Sequence, residues 1–264
     1  MMNPSYNSGA IDATGCIGNS WELVKRNIGL YIGVNFVGVL MILIVSCIPF
    51  AGLFLTAPIM GGLVYIALRD MNNEPIDFGM LFKGFERFVP LMVVGLIQGI
   101  PGAIFTIFRF TFDIASIFTR MGSPPARRGD FFQAADLSGV MAGLSAFFIL
   151  ITLGFIIFSI FWGIIFFFAV PLVVDRNLGP IEAIKLSASA AMSNLGGLIV
   201  LIILGVLINL LGMMVLCFGL LVSIPVTWVA NTIAYRMVFP MLNQTYRTTP
   251  PPPTSYGSSF GSGM

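Results

Sequence analysis

The residues able to do chemistry gather in one polar stretch, Pro171 to Asn194, which reads PLVVDRNLGPIEAIKLSASAAMSN. Asp175 and Arg176 close the apolar run before it, and Gly179-Pro180 breaks the chain. A helix from Glu182 to Met192 is expected next. Glu182, Lys185, Ser189 and Ser193 tend to one side of it, leaving Ile184, Ala188, Ala191 and Met192 to pack. Asn194 opens the last pair of apolar runs. Arg69 and Arg236 each end an apolar run, and they are candidates to join Asp175, Arg176, Glu182 and Lys185 in one surface cluster. Carboxylates and cations mixed at a membrane surface make a solvated ion network or a seat for a phosphate or lipid headgroup.

Other chemistry has few residues to draw on. The chain has no histidine, so an imidazole acid or base is excluded. Its three cysteines, Cys16, Cys47 and Cys217, are scattered and odd in number, against a disulfide framework. A zinc or haem site has little to be built from, and no cofactor is expected. There is no G-x-S-x-G elbow, no P-loop and no H-E-x-x-H. An intramembrane enzyme would have to use Asp113 or Asp130, and nothing in the sequence pairs them. No catalytic residue is assigned, and the expectation is a protein that is not an enzyme.

The elements that position these residues are membrane spans. The chain has 264 residues, of which 57 % are hydrophobic and 9 % charged. Soluble domains carry about 25 % charged residues. Leu186 to Tyr235 runs 50 residues with no Asp, Glu, Lys or Arg. A span needs about 20 apolar residues, so this stretch crosses twice, with a break near Cys217–Gly219. Ile28–Phe50 and Ala51–Leu68 read as a tight hairpin, the second helix rich in small residues and carrying Pro58. Trp21–Arg26 reads as a short interfacial helix after a loose segment, 1–20. Phe78, Leu81, Phe82 and Phe85 recur at three and four, predicting an amphipathic surface helix capped by Asp77.

The middle allows two topologies. In the first, Phe88–Phe108 spans once and the uncharged run Leu137–Val174 spans once with an overhang, leaving Arg109, Arg120, Arg127 and Arg128 external. In the second, the chain turns back at Gln98-Gly99-Ile100-Pro101-Gly102, and the long run forms a hairpin. Ordinary spans are commoner than re-entrant ones, which favours the first. Either way the spans lack charge, which weighs against a proton-coupled pump. Asn35, Gln98, Asn209 and Asn231 are their polar side chains, read first as helix–helix hydrogen bonding.

A weak internal match recurs at an offset of 167, pairing Asn27 with Asn194, Gly29 with Gly196, Pro58 with Pro225 and Arg69 with Arg236. It predicts two parallel hairpins. The stretch 241–264 is Pro/Ser/Gly-rich and reads as a disordered tail, a tether or a ligand for a proline-binding partner.

Pro171, Asp175, Gly179, Glu182, Ala183, Ile184, Lys185 and Ser187 fit the pattern P-x-x-x-D-x-x-x-G-x-x-E-A-[IL]-K-x-S ahead of two final spans. In this the chain resembles a broad group of uncharacterised bacterial and archaeal polytopic membrane proteins. The resemblance covers about Trp21 to Val238. It implies the architecture and leaves function open. The expectation is an all-α polytopic helical membrane bundle over 21–240, with about six transmembrane helices and two short amphipathic surface helices. Lys25-Arg26 before the first span place the N-terminus in the cytoplasm, and Tyr235-Arg236 at the end of the last span put positive charge on the same side; the expected location is the cell (inner) membrane with both termini cytoplasmic. Membrane lipids are the expected partners, with another membrane protein or a proline-binding protein reached through the tail; nucleic acid is not expected. The preferred role is structural or accessory, in assembly or lipid organisation. The alternatives are a transporter or channel for a small neutral or lipidic solute, then an intramembrane enzyme.

Overall fold

The computed structural model describes residues 6–48, 51–122, 131–215 and 219–241. It is an all-α multi-pass bundle. The helices are α1 (Ala13–Arg26), α2 (Ile28–Ser46), α3 (Ala51–Met71), α4 (Phe88–Gly122), α5 (Phe131–Phe166), α6 (Ala169–Arg176), α7 (Pro180–Ser193), α8 (Leu195–Met214) and α9 (Leu220–Val238), with a 3-10 helix at Phe78–Arg87. Among the described residues five stretches are long and apolar enough to cross a membrane: Ile28–Ser46, Ala51–Met71, Phe78–Thr111, Ala146–Arg176 and Leu195–Met214. The sixth expected span is α9, and it falls outside that set for a physical reason. It is wrapped by α1, α2, α3 and α8, so it carries Ser223, Thr227, Thr232 and Tyr235 where a lipid-facing helix carries leucine.

Helix α3 lies at the centre, packed on α2, α4, α6, α9 and the 3-10 helix. Its small residues permit this approach. A Cβ on Gly62 would collide with the Leu81 carbonyl, and one on Gly84 with the Pro58 carbonyl, so the two backbones touch. The helices α2, α5 and α8 turn Phe36, Leu43, Ile157 and Leu211 outward, the surface that bilayer hydrocarbon covers.

The middle of the chain follows the first topology. α4 is one continuous helix through Gln98–Gly102, and it does not turn back there. Helices α4 and α5 run antiparallel, with Phe105 stacked on Phe155 at 4.1 Å and Phe108 on Phe148 at 6.0 Å. α4 has 35 residues, about 52 Å at 1.5 Å each, so it outruns a hydrocarbon core of roughly 30 Å. The 3-10 helix differs from the expected α-helix, although Asp77 does cap it, accepting from the Gly79 N–H at 2.7 Å. Leu81 and Gly84 face α3, while Phe78 and Phe82 are exposed.

The expected looseness of 1–20 gives way at residue 6. α1 begins at Ala13, and Cys16, Ser20 and Val24 bury one face of it. Before it, the Asn7 N–H donates to the Val238 carbonyl at 2.9 Å, and Ile11 packs on Gly197. The apolar content of this segment is too low to signal order on its own; its partners lie more than 180 residues away. The turn expected at Pro49-Phe50, that at Gly122–Pro125 save Gly122 itself, the break at Cys217–Gly219 save Gly219 itself, Arg127, Arg128, Asp130 and the tail from 242 lie outside the described residues.

The offset of 167 extends beyond the expected hairpins. α1 starts at 13 and α7 at 180, and 180 − 13 = 167. Both helices have 14 residues. α2 and α8 begin at 28 and 195, again 167 apart, and α3 and α9 end at 71 and 238. Burial repeats too: Cys16, Ser20 and Val24 correspond to the buried Ala183, Ser187 and Ala191, and Tyr31, Val34 and Gly38 to Leu198, Leu201 and Gly205. The units run parallel, because α1, α7 and the C-terminal ends of α3 and α9 meet at one end of the bundle.

Candidate functional site

That end of the bundle carries the charged residues, held in two clusters. In the first, the Asp175 carboxylate at the end of α6 receives both arms of the Arg236 guanidinium, at 2.8 and 2.9 Å, and the Tyr235 hydroxyl at 2.7 Å. The geometry is bidentate, the strongest arrangement for this pair. Arg236 is only 12 % and Asp175 only 18 % exposed. Arg176 turns away, donating to the Pro240 carbonyl at 3.1 Å with its guanidinium 5.1 Å from the Phe239 ring centre. Between them, Asp175 and Arg176 fasten the end of α6 to the end of α9.

The second cluster is built on Asp70, at the end of α3. Its side chain is 3 % exposed. It accepts from the Arg26 guanidinium, the Tyr31 hydroxyl at 2.8 Å and the Asn27 amide at 3.3 Å. Arg26 also donates to the Asn73 side chain at 3.0 Å, and Asn73 holds a left-handed turn at φ 57°. Sequence reasoning missed Asp70, Arg26 and Tyr31 as a site. The signal was present: a carboxylate directly after Arg69 at the end of the helix richest in small residues. Next to Arg26 a cavity of about 670 Å³ opens, lined by Asn19, Glu22, Lys25 and Met71.

The single cluster foreseen from the sequence is therefore divided. Asp175 and Arg236 meet. Arg69 goes elsewhere, pairing with Glu74 at 2.7 Å and donating to the Tyr65 hydroxyl at 3.1 Å. Glu182 and Lys185 are exposed on α7. Glu182 sits in its first turn, where a carboxylate favours the helix dipole. Asn194 is buried. Its Oδ1 accepts from the Ala10 N–H at 2.9 Å, and its amide donates to the Asn7 carbonyl at 3.0 Å and the Ala190 carbonyl at 2.9 Å. It clamps the N-terminal segment across both repeats, and Tyr6 adds a hydrogen bond to Ser189 at 2.7 Å.

Ser187 closes a break in the backbone. Between α5 and α6 the helix is interrupted, freeing backbone groups that lipid cannot satisfy. The Ser187 hydroxyl accepts from the Phe168 N–H at 3.0 Å and donates to the Ile165 carbonyl at 2.6 Å.

Inside the bundle one group of polar side chains bond one another. The Asn209 amide donates to Thr227 Oγ1 at 2.9 Å and accepts from the Ser223 hydroxyl at 2.9 Å, joining α8 to α9. Asn35 is buried with its Nδ2 unpaired. Among the described residues no three His, Cys, Asp or Glu side chains come together as a metal site. Asp113 lies 3.9 Å from Arg109. Comparison with known proteins finds no matching family model, no matching curated protein and no matching solved structure.

Proposed function

We propose that this polytopic membrane protein is a structural or accessory component of the membrane, serving assembly or lipid organisation rather than catalysis or transport. One observation carries the reading: of the residues marked out by type and spacing, Asp175, Arg176, Arg69, Arg236 and Asn194 are committed to partners within the chain, while Glu182 and Lys185 stay exposed. Asp175 holds Arg236 and Tyr235, Ser187 closes the α5–α6 break, and Asn194 holds the N-terminal segment. The same bonds support grouping the chain with the uncharacterised polytopic proteins whose motif it resembles, since that motif then encodes architecture. Within the spans, Asn209, Thr227 and Ser223 satisfy one another, so these three polar groups are spent on joining α8 to α9 rather than offered to a solute.

The charged end faces the cytoplasm of the cell membrane in this reading. Lys25, Arg26, Arg69, Arg176, Lys185 and Arg236 all belong to it, in keeping with the positive-inside bias. The Glu22–Lys25 surface beside the cavity at Arg26 would meet headgroups. The tail from 241 is the arm for a protein partner.

Purification of the full chain from cross-linked membranes tests this, beside a variant lacking residues 250–264. A stoichiometric partner retained by the first and lost by the second is the expected result. Solute flux above that of empty vesicles after reconstitution, with no retained partner, would replace this reading by the transporter one.

A further inference from the structure

We propose that the groove between α3 and α4 holds one acyl chain of a phospholipid, with its phosphate at Arg109. The groove is a cavity of about 1070 Å³, opened where the two helices diverge. They are in contact at Gly95, whose added Cβ would press on Ala57, and at Gly99, against Leu53. Beyond that the space is free: nothing lies within 4 Å of a Cβ on Gly102, and only Thr56 Oγ1, at 3.9 Å, near one on Gly52.

Depth and chemistry point to a lipid chain. Most of the wall belongs to the spans Ala51–Met71 and Phe78–Thr111, with Ser46 and Ile48 from the end of α2 and Val170 from α6, so the surrounding medium is hydrocarbon. No lining residue is charged. The hydroxyls are turned onto their own helices, Ser46 to the Ile42 carbonyl, Thr56 to Gly52 and Thr106 to Gly102. The wall therefore offers contact area and few hydrogen bonds, which suits an alkyl chain. From Gly95 to Phe110 is 110 − 95 = 15 residues, about 22 Å of helix at 1.5 Å per residue. One leaflet of hydrocarbon is about 15 Å deep, half of a 30 Å core. A slanted acyl chain fits that length.

The charge at the end of the groove completes the match. Arg109 precedes the lining residue Phe110 and lies two residues from the end of the span. Its side chain is 67 % exposed and its contact with Asp113 is long, at 3.9 Å, so a phosphate can reach the guanidinium. A partner helix fits less well. The glycines that would seat one, Gly95 and Gly99, are already covered by α3. This assignment does not depend on the scaffolding role.

The test is native mass spectrometry of the full chain, extracted from vesicles of phosphatidylethanolamine and phosphatidylglycerol and washed with excess detergent. Wild type is expected to keep one phospholipid. Gly102→Leu, and Gly52→Leu from the opposite wall, fill the groove and lower that retained fraction about tenfold. Gly154→Leu, in open space on α5, keeps it. Arg109→Gln lowers it several-fold. Wild-type retention in both filled-groove variants would overturn the proposal. So would a wild-type dimer free of lipid that Gly102→Leu dissociates, since a second copy would then be the occupant.

Discussion

Replacing Asp175 by asparagine keeps the shape of the side chain and removes its charge. The Arg236 guanidinium then stands 12 % exposed with no counter-ion, and its Nε already has no partner. Breaking a buried pair by removing one member costs about 3–5 kcal/mol, chiefly because the other charge is stranded. Arg236 retains a little access to water, so the lower end applies, about 3 kcal/mol. Equilibrium unfolding in mixed micelles of rising SDS fraction, read by tryptophan fluorescence, measures it, since Trp228 is buried in the bundle. Arg236→Gln should cost a similar amount. The double variant should recover about 2 kcal/mol of the summed loss, because it strands neither charge. Tyr235→Phe removes one hydrogen bond and should cost about 1 kcal/mol. A loss below about 1 kcal/mol for Asp175→Asn, or a double variant additive within about 0.5 kcal/mol, would refute the reasoning that this pair fastens α6 to α9.

At the Asp70 cluster the order of effects should reflect exposure. Arg26→Gln strands a carboxylate that is 3 % exposed and should cost about 3 kcal/mol, whereas Asp70→Asn leaves a half-exposed Arg26 free to turn to water and should cost less, in the same titration. Gly62→Ala drives a methyl group into the Leu81 carbonyl and should cost about 3 kcal/mol; Gly196→Ala, in open space on α8, should be neutral or stabilising, and equal effects would contradict the close contact of α3 with the 3-10 helix. Burial, with the Asp12 carboxylate nearby, pushes the Cys16 thiol up to about 12 from an ordinary 9.0. The folded value is the higher, so the contribution is whole below pH 9.0 and is lost as pH rises toward about 12. Cys16→Ala should flatten that decline relative to wild type; parallel curves from pH 9 upward would show that the thiol stays exposed.

The spans were legible because hydrocarbon imposes a simple rule on sequence, and α2 and α8 obey it throughout while α3 and α4 carry their charges only toward their C-terminal ends. α9 obeys it less well, being surrounded by protein. Pro171–Asn194 stood out because polar groups at the end of an apolar run need partners. Which partners they take is set by packing, so Asp175 was legible as a candidate while its bidentate hold on Arg236 was not. Asp70 was harder, since a carboxylate beside Arg69 suggests a local pair, whereas its donors come from Arg26, Asn27 and Tyr31, about 40 residues earlier. The N-terminal segment was misread for the same reason: Asn7 and Ala10 are ordered by Asn194.

The repeat explains why these distant contacts occur where they do. Each unit has a 14-residue helix, then a helix long and apolar enough to cross a membrane, and returns on a helix with a buried proline, Pro58 or Pro225. A returning helix ends among unpaired carbonyls at the charged face, and something must hold it there. The first unit supplies its own anchor, since Asp70 on the returning α3 reaches back to Arg26 and Tyr31. At the position equivalent to Asp70 the second unit has Met237, which contacts Cys16 at 3.6 Å instead. Its anchor comes from outside the unit, from Asp175 on α6, acting on Arg236, the equivalent of Arg69. The motif before the last two helices is thus the counterpart of a carboxylate that the second unit lacks. The two carboxylates should then fail separately: loss of Asp70 loosens α1 and α3, and loss of Asp175 loosens α6 and α9.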